Sequence, residues 1–313
     1  MKRLLALLAF GAAASGAEVG ADPVAVFSDW ARAEGATTTG IAVLEGGTAT
    51  HQHNADSAFD LASNSKAITA LCVLALVDDG ALSWDMTLTD ALGQAAPPAT
   101  LAELVTHSAG IGRDSTQLRM GFWLNETEPR HAHVTDIVLN RSRQGGTRGE
   151  FAYTNENYAL LGRIIEVTTG TSYEASCRRR VLDPAAATGT LSPRFGAFAA
   201  WGGWRMTMAD HAALLWHWFG PEGRVGRDPL ALPHIARAEG SYYGLGMNYE
   251  AADDGFRMSH AGALAIPFGP KTGAFAVVYP FGAVAAMAYD VPVADPARFH
   301  ALSDRLESVL RAR

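Results

Sequence analysis

The chain has 313 residues, of which 48% are hydrophobic and 18% charged, and carries a formal net charge of −7. That length holds one large domain or two intertwined ones, with a composition ordinary for a globular enzyme. An acidic balance without a basic surface excludes nucleic acid as an expected partner.

The first residues, "MKRLLALLAFGAAASGAEVGADP", read as a targeting segment. Lys2 and Arg3 form a short positive region, and Leu4 to Phe10 with the following alanines form an apolar stretch too short to span a bilayer. Ser15-Gly16-Ala17 supplies small residues for cleavage near Ala17, so residues 1–17 are expected to be a signal peptide of a periplasmic or secreted protein. No cysteine lies near that point, which argues against a lipid anchor. No later apolar run reaches the roughly 18 residues of a spanning helix, so no stable membrane insertion is expected after cleavage. Cys72 and Cys177 are the two cysteines; in an exported chain they can pair, while the apolar run "ALCVLALV" around Cys72 suits a buried free thiol.

Residues 22–35 read as a helix with Asp22 as N-cap, Pro23 at its first position and Gly35 at its end. Residues 37–54 read as a hairpin turning at Gly46-Gly47, and Ser63 to Asp79 as a strongly apolar helix that stops at Gly80. From about 82 to 195 the pattern is helical segments and loops. "MTMADHAALLWHWF" (206–219) is a further helix with Asp210 in its first turn. After 240 the texture changes to short β-type runs, and "DPARFHALSDRLESVLRAR" closes the chain as an amphipathic helix. Strands at both ends without βαβ alternation predict an α+β fold: one antiparallel sheet from both termini, flanked by N- and C-terminal helices, with an inserted mainly helical domain. The expected division is a sheet domain from 22–81 and 196–313 and a helical domain over 82–195, with a site in the cleft between them.

Three motifs carry candidate chemistry. Ser63-Asn64-Ser65-Lys66 is expected at a helix start, where positions i and i+3 share a face and the amine of Lys66 reaches the hydroxyl of Ser63. Lysine occurs only at 2, 66 and 271. An amine, unlike a guanidinium, can lose its proton and serve as a base once its pKa falls. Tyr153-Thr154-Asn155 is the only Y-x-N. Its phenol can share protons with a lysine and its amide can hold a carbonyl or the lysine, although taken alone it reads rather as a turn into a helix with a packed tyrosine. His260-Ala261-Gly262 is the only H-x-G. On a strand edge it would aim His260 at the cleft, leave room at Gly262 for a substrate, and offer a backbone N–H just beyond as an oxyanion donor. The histidine pairs in "HQH" (51–53) and "HAH" (131–133) lack a third ligand at zinc-type spacing, so no metal or other cofactor is expected.

Together and in this order the motifs resemble the serine β-lactamase-like superfamily, in the branch of class C β-lactamases, D-alanyl-D-alanine carboxypeptidases and related esterases. "GALSWDMTLTDAL", "LAELVTHSAGIG", "FAYTNENYALLGRIIE", "GGWRMTMAD" and "YYGLGM" resemble that branch's surrounding segments. The resemblance implies a β-lactamase/transpeptidase-like fold and a covalent acyl-enzyme on Ser63. It implies that Lys66 and Tyr153 share general-base and relay duty, in an order left open, and that Asn155 orients substrate and Lys66. It also puts His260 in the third-motif position, Gly262 beside the substrate, and the N–H groups of Ser63 and Ala263 in the oxyanion hole. A literal K-T-G also occurs, Lys271-Thr272-Gly273, after the turn "PFGP"; Lys271 is read as a loop residue outside the site.

A histidine near its free pKa of about 6.5 is largely neutral at pH 7 and grips a carboxylate less firmly than lysine does. The expected activity is therefore a serine hydrolase of ester, amide or β-lactam-like carbonyls, esterase- or D-Ala-peptidase-like more than a dedicated β-lactamase. Small-molecule or peptidoglycan-like substrates are the expected partners. The alternative is a binding or sensor domain that recognises penicillin without turnover.

Overall fold

The computed structural model describes residues 21–312. The expected signal peptide therefore lies outside the described residues. Helix α1 (Pro23–Ala33) begins where expected: the Asp22 side chain accepts the Val24 N–H, and Pro23 fills the first position. Strands β1 (Thr39–Glu45) and β2 (Thr48–His53) form the hairpin, with Gly46 and Gly47 both at positive φ in its turn. Helix α2 (Ser65–Asp78) is apolar on nearly all sides and sits in the centre of the larger core cluster.

Helix α3 (Asn155–Thr169) packs against α2 and ends at Gly170 in the left-handed conformation. Helix α4 (Met208–Phe219) follows a short strand (Trp204–Thr207) whose last two residues, Met206 and Thr207, the sequence pattern places in the helix. Its cap explains the boundary, because the Thr207 side chain accepts the Asp210 N–H. The C-terminal third then forms β3 (Ile235–Ala238), β4 (Ser241–Gly244), β5 (Met247–Ala252), β6 (Gly255–Ala265), β7 (Lys271–Tyr279) and β8 (Ala283–Tyr289), closed by α5 (Pro296–Arg311).

These strands make one eight-stranded antiparallel sheet in the order β2-β1-β8-β7-β6-β5-β4-β3. The fold is thus α+β, with a sheet assembled from both ends of the chain. Helices α1 and α5 cover one face through Phe27, Trp30, Phe299 and Leu306 against Phe275, Val277 and Met287. The other face packs on α2, α4 and the helical segments between them. No helix among the described residues is long and apolar enough to cross a membrane.

Strand β6 positions the site. Its even-numbered residues Met258, His260, Gly262 and Leu264 are buried on the α2 side, while Ala261, Ala263 and Ala265 are exposed, the period-two pattern of a pleated strand. Its pairing with β5 runs from Gly255 only to Ser259. Residues 260–265 therefore present a strand edge to the cleft. Lys271, expected in a loop, instead opens β7 opposite Ala265. The intervening turn is short enough that pairing begins at once; its side chain stays exposed and outside the cleft lining.

Candidate active site

Ser63 lies in a 3-10 turn (Ala62–Asn64) immediately before α2, not within the α-helix the sequence suggested. In such a turn positions i and i+3 eclipse, so the reach from Ser63 to Lys66 survives the difference. Tertiary contacts pin the turn. Leu61 N donates to Trp204 O (2.8 Å), Trp204 N donates to Ser65 Oγ (3.0 Å), and Asn64 Nδ2 donates to Ala274 O (3.1 Å) on β7. Ala62 takes φ +47°, a left-handed conformation that alanine adopts only at an energetic cost of about 1 kcal/mol. The residue preceding the hydroxyl is thus held in strain by its surroundings.

Lys66 is fully buried. Its Nζ lies 3.2 Å from Ser63 Oγ, 2.9 Å from Asn155 Oδ1 and 2.8 Å from Trp201 O. Burial lowers the amine from 10.5 to about 7, opposed by the Asp114 carboxylate. The partner set matters more than the count. Both carbonyl oxygens are acceptors only, so a neutral amine gives them its two N–H bonds and turns its lone pair to the Ser63 hydroxyl.

The Tyr153 ring lies over this amine, 4.9 Å from Nζ to the ring centroid. The residue keeps 43% of its surface open to the cleft. The crowding of protein around it pushes the phenol up, its hydrogen bond with Ser63 pulls the other way, and Asp114 adds to the rise. A phenol is protonated at neutral pH already, and the rise keeps it so. Asn155 is the first residue of α3. Its Oδ1 faces Lys66, and its Nδ2 donates to Thr116 Oγ1 at 2.9 Å.

His260 is buried, and its ring stands 6.3 Å from that of Tyr153. Burial and then Lys66 lower it to about 3, against a hydrogen bond with the Gly246 backbone, so the imidazole is neutral. Gly262 meets the turn bearing Ser63: a methyl group there would come 2.7 Å from Leu61 O and 2.8 Å from Ser63 N. Ala263 follows on the exposed edge. Ser63, Tyr153, Tyr243, His260 and Ala263 line one cleft of about 670 Å³, within the usual range for small-ligand sites.

The seven residues singled out from sequence are therefore brought to one place. The sequence reading missed three further groups. The Trp201 carbonyl is a backbone acceptor and has no sequence signature. Asp114 and Thr116 lie in a loop whose only signal is an Asp followed two residues later by a Thr, the pattern of an Asx-turn. That turn forms, with Thr116 N donating to Asp114 Oδ1 at 3.0 Å. His107 is also buried at this place, its ring 4.4 Å from that of Tyr153. Its Nδ1 accepts the Thr154 N–H at 3.4 Å, which puts the ring proton on Nε2. Burial, then Lys66 and His260, hold it well below the usual histidine range.

No cluster of His, Cys, Asp and Glu capable of holding a metal occurs among the described residues. Cys72 and Cys177 are free, buried thiols; burial and then the neighbouring Cys72 thiol push Cys177 well above the usual range.

A family model described as Beta-lactamase matches residues 21–290. Penicillin-binding protein 4 of Amycolatopsis lactamdurans is 32% identical over 136 residues, covering 41% of this chain and 34% of that protein. The chain thus spans about a third of that curated relative. Among solved structures, a β-lactamase/D-alanine carboxypeptidase from Yersinia pestis matches with a TM-score of 0.73 at 16% identity, covering 92% of this chain and 98% of that one. A D-stereospecific amidohydrolase from Streptomyces sp. matches with a TM-score of 0.71 at 16% identity, covering 89% and 97%. These two likenesses concern the fold.

Proposed function

The chain belongs to the Beta-lactamase family, and from that premise we propose that it is a serine hydrolase working through an acyl-enzyme on Ser63, with Lys66 as the base. The observation that carries this reading is the Lys66 amine: buried, lowered to about 7, and held by two carbonyl oxygens with Ser63 Oγ as its third partner. Near neutral pH a large fraction of such an amine is uncharged, which a general base requires.

In this mechanism the Ser63 oxygen attacks the substrate carbonyl carbon as the Lys66 lone pair takes the hydroxyl proton. The carbonyl π electrons move to oxygen, and the backbone N–H groups of Ser63 and Ala263 receive that oxyanion. Collapse re-forms the C=O and breaks the bond to the leaving group. The Tyr153 hydroxyl gives its proton to that group and is reprotonated from the Lys66 ammonium. Water, giving its proton to Lys66, attacks the Ser63 ester; collapse breaks the bond to Ser63 Oγ, the Lys66 ammonium returns the proton to that oxygen, and the acid leaves.

Substrate class follows from charge. With His260 held neutral, the third-motif position itself offers no fixed cation to grip a substrate carboxylate, although Arg237 and Arg257 stand elsewhere in the lining of the same cleft. Esters and D-amino-acid amides, which present no carboxylate there, suit this site better than β-lactams or peptides with a free C-terminal carboxylate, which gain from such a cation. The test is exposure of one sample to a fluorophosphonate with intact-mass readout, and of a separate, unlabelled sample to a panel of a short chromogenic ester, a cephalosporin and a D-alanyl-D-alanine peptide. A Ser63→Ala control should remove both label and turnover. Labelling without turnover of any substrate points instead to a penicillin-recognising sensor.

A further inference from the structure

We propose that Asp114 and Thr116 are positioning residues whose hydrogen bonds have one permitted direction each, so that together they aim the lone pair of the Lys66 amine at Ser63. The inference rests on the hydrolase reading for its kinetic consequence and on geometry alone for its structural one.

Asp114 Oδ1 lies 2.6 Å from Thr116 Oγ1, and a carboxylate can only accept, so the single hydroxyl proton of Thr116 points at Asp114. The Thr116 oxygen is then left with lone pairs, and its other neighbour, Asn155 at 2.9 Å, must donate to it. That fixes the Asn155 amide with its NH₂ towards Thr116 and its carbonyl towards Lys66, 2.9 Å from Nζ. The amine therefore meets a pure acceptor on that side and another at Trp201 O. Without Thr116 the amide could turn over. It would then offer N–H bonds to the amine, and the lone pair would be drawn from Ser63 to Asn155.

A second contact locks the same residues in place. Asp114 Oδ2 accepts the Asn155 backbone N–H at 3.2 Å, one of the N–H groups that the start of α3 leaves without a helical partner. A carboxylate there is favoured by the helix dipole. Thr116 is fully buried and Asn155 nearly so, so water does not compete for the Thr116–Asn155 and Asn155–Lys66 bonds.

Asp114 also sets when the amine loses its proton. The groups facing Lys66 are the Tyr153 and Tyr158 rings, His107, His260 and Asp114. Both imidazoles are neutral and the phenols protonated, so Asp114 is the charge that holds the proton on. Removing that charge should lower the amine further and leave more of it free at mildly acid pH.

The test uses Asp114→Asn, Thr116→Val and Thr116→Ser in the full chain, with thermal melting to establish folding. The chain has three lysines, so the Lys66 ¹³Cε resonance can be followed through a pH titration whether or not the protein turns over substrate. Asp114→Asn is expected to move the Lys66 midpoint to lower pH and to shift the acid limb of Ser63 acylation the same way. Thr116→Val is expected to slow acylation roughly tenfold or more, the scale of a mispositioned base, with little change in KM, and Thr116→Ser to restore it. An unmoved Lys66 midpoint in Asp114→Asn, or Thr116→Val acylating within twofold of the parent, overturns the proposal. Failure of the parent itself to react at Ser63 overturns the hydrolase reading instead, and the Lys66 titration still decides the role of Asp114.

Discussion

Gly262 on β6 lies flush against Ser63: a methyl group at 262 would stand 2.8 Å from the Ser63 backbone nitrogen, and 2.7 Å from Leu61 O. Both opposing atoms are backbone, so neither can swing aside. Gly262→Ala must therefore push the strand away from the turn that bears the hydroxyl. Overpacking of this kind costs about 1–3 kcal/mol. The expected outcome is a lower melting temperature together with slower fluorophosphonate labelling of Ser63. Labelling at the parental rate would mean that the contact does not control the nucleophile.

Lys66 makes a prediction about pH with a definite sign. Its folded pKa, about 7, is below the ordinary 10.5. Between these values the unfolded chain binds the proton that the folded one has released, so stability rises with pH, by up to ~1.4 kcal/mol per pH unit. Below pH 7 both states are protonated and the full penalty of burying the charge applies. Urea melts of the parent and of Lys66→Met across pH 6–10 should diverge in that window, the parent gaining relative to the variant as pH rises. Acylation should show an acid limb near pH 7, and Lys66→Arg should lose it with the activity, because a guanidinium stays charged.

The parts of this arrangement that were legible in sequence are those that local chemistry controls. The apolar run of α2, the β1–β2 turn at two adjacent glycines and the cap of α1 at Asp22 each follow from residues within a few positions of one another. The three motifs were legible because lysine and Y-x-N are rare in this chain. The 3-10 turn at Ser63 was not, since it is imposed by Trp204 and Ala274, distant in sequence. Lys271 was misassigned for a similar reason: pairing with Ala265 decides where β7 begins, and "PFGP" alone does not reveal it. Asp114 and Thr116 escaped notice because their significance lies in which proton goes where, a property of the folded contact.

His260 predicts selectivity. At about 3, the imidazole does not change charge between pH 5 and 8, so discrimination between neutral and anionic substrates should be flat over that range. His260→Lys would add a cation beside the substrate. A hydrogen bond to a charged group contributes about 1.5–3 kcal/mol, so kcat/KM for a cephalosporin should rise roughly tenfold or more relative to a neutral ester. An unchanged ratio would show that the third-motif side chain does not contact the substrate's acidic group.

Glu156, next to Asn155 in α3, makes the strongest prediction about stability. Its carboxylate is fully buried and is gripped by two nitrogens of Arg141, at 2.8 and 2.5 Å. The same carboxylate accepts the Ser115 N–H at 3.0 Å, so it ties down the loop that carries Asp114 and Thr116. Removing one partner of a buried pair leaves the other charge without compensation, which costs about 3–5 kcal/mol. Arg141→Met is therefore expected to lower stability by that amount in urea melts. Replacing both residues, as Arg141→Met with Glu156→Leu, should recover much of the loss, since neither charge then remains buried. It should not recover Ser63 acylation, because the Ser115 N–H has no acceptor and the 114–116 loop loses its anchor. Equal recovery of stability and acylation in the double variant would show that the loop is held without Glu156.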